Sequence, residues 1–107
     1  MSEPLRTEHR ITRADLGALL SGEGGVDLVP VLEDGKQSAM RVVGVKPRTM
    51  AARLGAQNGD TIERIDGVAL TSVAEAYRAA ELAQHQTRIV ICGARGATRY
   101  ETVLLLG

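Results

Sequence analysis

The feature that most constrains this chain lies over residues 42–70, where a β-branched run, a short helix and two tight turns follow one another with almost no spacer. Val42, Val43 and Val45 are strand formers, and their run stops at Pro47, which has no N–H to give to a ladder. Thr49 has the side chain to cap a short helix through Met50, Ala51, Ala52, Arg53 and Leu54. Gly55 then stands where a helix needs a residue that accepts positive φ. Ala56, Gln57, Asn58 and Gly59 turn the chain into Asp60-Thr61 and a second strand, with Ile62 and Ile65 as its apolar positions. Asp66-Gly67 is a second reversal.

The remaining segments can be placed around this core. Residues 1–10 are polar and aperiodic, which predicts a mobile lead or linker end. Thr12 and Asp15 have N-cap and N3 spacing, and Ile11 and Leu16 have that of a hydrophobic staple, so a helix is predicted to about Leu20, with Leu16, Leu19 and Leu20 as its apolar stripe and Ser21-Gly22 as its end. A strand over 26–32 turns at Glu33-Asp34-Gly35-Lys36 and returns over 39–45. Ser72 and Glu75 have capping-box spacing and open a helix reaching about Gln84, with Val73, Ala76, Tyr77 and Ala80 on one stripe and Ala79, Leu82 and Ala83 on another. Strands over 88–92 and 99–106, joined by a Gly-containing hairpin loop over 93–97, complete the chain.

A chain of 107 residues supports one domain with a single modest core. With no Phe or Trp and only two Tyr, that core must be aliphatic and rich in small residues. Acids and bases balance at 13 each, which argues against a broad electrostatic footprint for nucleic acid or anionic lipid, and the excess of Arg over Lys reads as compositional bias. Cys92 is the one cysteine, so neither an internal disulfide nor a cysteine-based zinc site can form, and its apolar neighbours predict a buried thiol acting as a small hydrophobe. No apolar run approaches the ~20 residues that span a bilayer, and the first residues lack the apolar core of a signal peptide.

Catalytic constellations are not evident. Asp60 and Asp66 sit beside glycines in turns, where a short carboxylate accepts neighbouring N–H bonds. Ser21, Ser38 and Ser72 lack a nucleophile-elbow context, His9 and His85 read as solvated surface residues, and no metal, phosphate-loop or dinucleotide fingerprint is present. The expectation is a non-enzyme without cofactor or metal.

The spacing of Pro47, Ala51-Ala52, Leu54-Gly55, Gly59-Asp60, Ile62, Ile65 and Asp66-Gly67 resembles the core of bacterial PDZ domains. With Ile11-Thr12-Arg13-Ala14 and the Val29-Pro30-Val31 strand followed by Asp34-Gly35-Lys36, the chain is most similar to the periplasmic PDZ domain of the type II secretion inner-membrane component C. The resemblance implies an α+β, PDZ-like fold: a five- to six-stranded antiparallel, partly open barrel capped by two to three helices, occupying residues 11–107 with the N-terminal helix included. It implies a periplasmic location, with the membrane anchor and export signal upstream of these residues. It also implies a protein-interaction role, either recruiting secreted substrates or coupling to the outer-membrane secretin, with protein or peptide partners and no nucleic acid. The alternative is the peptide-reading regulatory module of a periplasmic or membrane-embedded protease, although such modules usually enter directly at the groove strand.

On this resemblance the partner surface is a groove between the 26–32 strand and the 72–84 helix, with Val26, Leu28, Val29, Val31, Val73, Ala76, Tyr77 and Ala80 as its contact residues. Two positions depart from the family pattern. The carboxylate-binding loop corresponds to Ser21-Gly22-Glu23-Gly24-Gly25-Val26, and Glu23 would repel a terminal carboxylate if it faced inward. Pro30 removes a strand donor: either it marks an edge that binds nothing, or its missing N–H faces away from the ligand. Whether the groove is open or occupied by the N-terminal helix is left to the structure.

Overall fold

Side-chain caps fix where the helices begin. The computed structural model describes residues 4–20 and 24–107, and within it Thr12 and Asp15 form a reciprocal capping box. The Asp15 N–H donates to Thr12 Oγ1 at 3.0 Å and the Thr12 N–H to Asp15 Oδ2 at 3.1 Å. Helix α1 (Arg13–Leu20) follows, and the flanking Ile11 and Leu16 are buried in one apolar cluster, as a staple requires. Thr49 Oγ1 accepts from the Ala52 N–H at the start of α2 (Met50–Arg53), and Ser72 Oγ accepts from the Glu75 N–H at the start of α3 (Val73–Ala83). Gly55, at φ +85°, makes the left-handed turn that ends α2. Ser21, Gly22, Glu23 and the side chain of Leu20 lie outside the described residues, so the expected helix end at Ser21-Gly22 lies there too.

The strands are β1 (Leu5–Ile11), β2 (Asp27–Glu33), β3 (Lys36–Val43), β4 (Thr61–Ile65), β5 (Val68–Ala69), β6 (Arg88–Arg95) and β7 (Thr98–Leu106). They form one sheet in the order β1-β7-β6-β4-β3-β2, with β5 paired to β4. Asp34-Gly35 and Asp66-Gly67 both place two successive residues at positive φ, the geometry that joins antiparallel strands with matching twist. The α+β architecture is as expected, and β7 is central, with Val103, Leu104 and Leu106 buried.

Three differences concern strands. The polar residues 5–10, expected to be a mobile lead, lie in β1, which runs parallel to β7 from Leu5 opposite Tyr100 to Ile11 opposite Leu106. An edge strand with a single neighbour is held by backbone bonds, so its side chains need carry little apolar signal, and only Ile11 of β1 is buried. With β1 and the two-residue β5 the sheet has seven strands where five to six were expected, one pairing being parallel. Finally, the expected loop over 93–97 is mostly strand: β6 continues through Arg95, and only Gly96 and Ala97 turn.

Gly93 belongs in that strand because nothing larger fits. A Cβ there would stand 1.8 Å from the Thr61 carbonyl oxygen and 2.7 Å from the Tyr100 hydroxyl oxygen. The Tyr100 hydroxyl donates to the same carbonyl at 2.7 Å, and burial raises its pKa, so the donor keeps its proton.

Asp60 is the one buried charged residue among those described, at 3% exposure. It accepts from Arg95 Nε at 2.8 Å and Arg95 Nη2 at 2.8 Å, and from the Gln57 N–H at 3.0 Å; Arg95 Nη2 also donates to the Gly55 carbonyl at 2.9 Å. The fork thus ties the turn after α2 to β6. From that turn, the Val42 N–H donates to the Asp60 carbonyl at 2.7 Å and the Gly59 N–H to the Val42 carbonyl at 2.8 Å. Asp66 has a smaller role of the same kind, its Oδ1 accepting from the Val90 N–H at 2.8 Å.

Two stability measurements check these contacts. Gly93→Ala should lower the unfolding free energy by roughly 2 kcal/mol or more, seen as an earlier urea midpoint at unchanged slope. A midpoint equal to the parent's would show that β4 and β6 separate easily at this point. Asp60→Ala should cost about 2 kcal/mol, less than a fully buried pair because the freed Arg95 can reach water. Arg95→Ala in the same background should then cost little more.

Candidate functional site

Helix α3 lies beside β2, at the free edge of the sheet, and a cavity of about 330 Å³ opens between them. Leu28 and Pro30 of β2 line one side and Val73, Ala76, Tyr77 and Ala80 of α3 the other, with Leu19 of α1, Met40, Ile65 and Leu70 also lining it. The helix can do this because its apolar residues lie on two faces. Ala79 and Ala83 are buried against the core, while positions 73, 76, 77 and 80 share the neighbouring stripe, roughly 90° round the helix. Tyr77 is 74% exposed at the rim.

A second, deeper cavity of about 160 Å³ lies between α1, α3 and the sheet, lined only by apolar residues, including Leu16, Val26, Val42, Ile89 and Leu104. Leu19, Leu28 and Ile65 line both spaces, so the groove leads into the interior at its Val26 end. α1 therefore contributes Leu19 to the wall of the groove and leaves the groove open.

The backbone of the edge can be phased from its neighbours. Along a strand, successive residues direct their N–H and C=O groups to alternate sides. Val42 is bonded toward β4, so Arg41 is directed toward β2; in the register Val29↔Arg41 and Val31↔Ala39 are the hydrogen-bonded pairs, while Leu28↔Val42 and Pro30↔Met40 are not. The main-chain groups of Leu28 and Pro30 therefore face the open edge. Upstream, the Gly24 carbonyl accepts from the Ala51 N–H at 3.0 Å and the Gly25 carbonyl from the Lys46 N–H at 2.9 Å. Across each trans peptide plane, the N–H groups of Gly25 and Val26 point away from those donors, and neither has a partner among the described residues. Two adjacent N–H groups with no partner among the described residues, just ahead of the β2 edge, form a receptor for an anion such as a carboxylate.

Glycine is required at that end. A Cβ on Gly24 would come within 2.9 Å of Leu19 Cα, and one on Gly25, at φ +85°, within 2.3 Å of the Thr49 side chain. Glu23, whose orientation was open, lies outside the described residues.

Of the eight contact residues expected from sequence, Leu28, Val73, Ala76, Tyr77 and Ala80 line the groove and Val26 lines the inner cavity. Val29 and Val31 are not among them. By strand alternation their side chains leave the opposite face of β2, where Val31 lines a separate polar depression with Glu33, Ala39 and Arg41. For Pro30, the second of the two readings fails, because its imide nitrogen faces the open edge. Leu19, Met40, Ile65 and Leu70 were missed; Met40 stands opposite Pro30 only through the register shift between Val31 and Leu32, since the Asp34-Gly35 turn alone would set Ala39 there.

Other sequence candidates are dispersed. His85 is exposed beside Glu81, 3.8 Å away. His9, expected to be solvated, is half-buried on β1, and its Nε2 is buried without a partner among the described residues. Cys92 is half-buried rather than buried; desolvation, followed by the charge of Glu101, pushes its thiol pKa up.

Residues 41–93 match the family model of the PDZ domain. The PDZ domain of EpsC from Vibrio cholerae has a similar fold, with a TM-score of 0.62 at 18% identity, covering 86% of this chain and 95% of that one. The PDZ domain of the pullulanase C protein of the type II secretion system from Klebsiella pneumoniae, solved in complex with fatty acid, has a TM-score of 0.60 at 23% identity, covering 78% of this chain and 86% of that one. No curated protein matches. The family's sequence pattern lies in the segment that holds β4, the Gly55–Gly59 and Asp66-Gly67 turns and the start of β6, and the fold around it is that of a PDZ domain.

Proposed function

We propose that this PDZ domain is the periplasmic interaction module of a type II secretion inner-membrane component, and that its β2–α3 groove receives an extended apolar C-terminal segment of a protein partner. The partner would be a secreted substrate or the outer-membrane secretin. The observation that carries this reading is the coincidence of three things along one cleft: outward-facing main-chain groups on β2, free N–H groups of Gly25 and Val26 at its end, and an apolar cavity beneath them. A strand laid antiparallel on β2 brings its carboxylate to those N–H groups and its last side chain over the cavity.

The solved relatives favour the secretion setting, both being PDZ domains of EpsC or pullulanase C. So does α1, which precedes the groove strand and supplies Leu19 to the groove wall, an arrangement a chain entering directly at β2 would lack. Among the described residues no helix is long and apolar enough to cross a membrane, so an inner-membrane anchor would be carried by another segment. The Klebsiella relative was solved with a fatty acid, and the inner cavity here has the apolar lining that an aliphatic chain needs, which makes a short fatty acid a useful competitor.

Chemical-shift mapping with a library of C-terminal peptides and of internal segments tests the reading. Shifts should concentrate at Gly25, Val26, Leu28, Val73, Ala76, Tyr77 and Ala80, and a fatty acid should displace the peptide. Shifts confined to another face, or none with any peptide, would reject it. Val73→Ala and Tyr77→Ala should each weaken peptide binding about threefold to tenfold, whereas Val29→Ala and Val31→Ala should leave it within error.

A further inference from the structure

We propose that Pro30 limits the length of ligand that is read, ending two-bond main-chain pairing at the third residue from the ligand's carboxyl end. This rests on the groove reading above. In an antiparallel addition, a carboxylate at the Gly25 and Val26 N–H groups puts the last ligand residue opposite Val26, the third from the end opposite Leu28, and the fifth from the end opposite Pro30. Leu28 presents both an N–H and a C=O to the open edge, so the ligand residue facing it exchanges two hydrogen bonds. Pro30 presents only its C=O. The fifth residue can donate one bond, but its own carbonyl receives none and stays with water.

The side chains around Pro30 reinforce the change in recognition. Pro30 lines the groove on the β2 side, and Val73 and Tyr77, 51% and 74% exposed, line it on the α3 side. Beyond the third residue the ligand therefore meets apolar surface where a longer strand partner would have found a continuing ladder. The register shift between Val31 and Leu32 leaves an extra residue, Ser38, on β3, so the hairpin bends just beyond the proline. The class of ligand is a short C-terminal signal, fully paired through its last three residues, with upstream residues held by at most a single main-chain bond and selected by apolar contact.

The experiment compares wild-type protein with Pro30→Val and Pro30→Ala, each of which restores an N–H at an exposed edge position. The probes are two peptides ending in the same Val-Ser-Leu with a free carboxylate: an acetylated tripeptide and an acetylated hexapeptide. Restored pairing should strengthen hexapeptide binding roughly twofold to tenfold in both variants, the value of one hydrogen bond, and leave the tripeptide unchanged. Equal gains for both peptides, no gain for either, or a gain with Val alone, which would be side-chain packing, would each overturn the proposal. If the wild type and both variants bind neither peptide, the groove reading fails and this inference with it. A length-independent result from peptides that do bind defeats the inference and spares the groove.

Discussion

The geometry of the groove edge descends from one buried carboxylate. Asp60 is held by the two-nitrogen fork of Arg95 and by the Gln57 N–H, so the turn after α2 has a fixed position relative to β6. From that turn the Asp60 carbonyl and the Gly59 N–H bind Val42, which settles which way each residue of β3 directs its main chain. Strand alternation passes the choice to β2, where it puts the donors and acceptors of Leu28 and the lone acceptor of Pro30 at the open edge. A one-residue slip at Val42 would reverse every one of those assignments and bring Val29 and Val31 to the groove. The ion pair joins the start of β4 to the end of β6, with β3 between it and the groove edge, yet it decides what the groove displays.

The groove exists because small residues stand where large ones would close it. With no Phe or Trp in the chain, α3 approaches the sheet through Ala79 and Ala83 on its core face and leaves space over Ala76 and Ala80 on its groove face. The inner cavity of about 160 Å³ is the continuation of that choice. An apolar space of this kind forfeits dispersion contacts worth on the order of a few kcal/mol, which a fold selected for stability alone would recover by enlarging one lining residue. A ligand side chain entering the space recovers the same contacts on binding. On the proposed reading, part of the affinity is thus held in reserve as incomplete packing.

How much of this could be read from the chain depends on whether a feature is local. Caps and turns are local: Thr12 with Asp15, Thr49, Ser72, Gly55 and the two Asp-Gly pairs each sit where the side chain or the missing Cβ dictates, and each was legible. The groove stripe of α3 was legible for the same reason, since 73, 76, 77 and 80 share a face by helical period alone. The strand β1 was not, because an edge strand held by main-chain bonds to one neighbour leaves no periodic trace in its side chains. The β6 extension through Arg95 was misread because Gly93 looks like a turn residue, and only its crowding by Thr61 and Tyr100 from other strands explains it. Val29 and Val31 were misplaced through phase: apolar residues on both faces of β2 give no alternation to say which face meets the helix, and the deciding bonds come from Val42 and Asp60, remote in sequence.

The two edges of the sheet show the same constraint met by different means. At β1 the edge is charged, with Arg6 placed 3.6 Å from Glu8 and 3.5 Å from Glu101, and charge discourages a second chain from pairing there. At β2 the edge is apolar: Leu28, Val29 and Leu32 are all exposed, a hazard for strand-to-strand association. Charge at that edge would protect it but would also empty the groove of its apolar wall. Pro30 protects differently, because a long incoming strand, such as the β2 of a second molecule, needs an unbroken series of donors, whereas a short segment anchored by its carboxylate can stop before reaching it. The proline separates those two kinds of visitor by length, so an edge that must stay open for a short partner need not stay open for a long one.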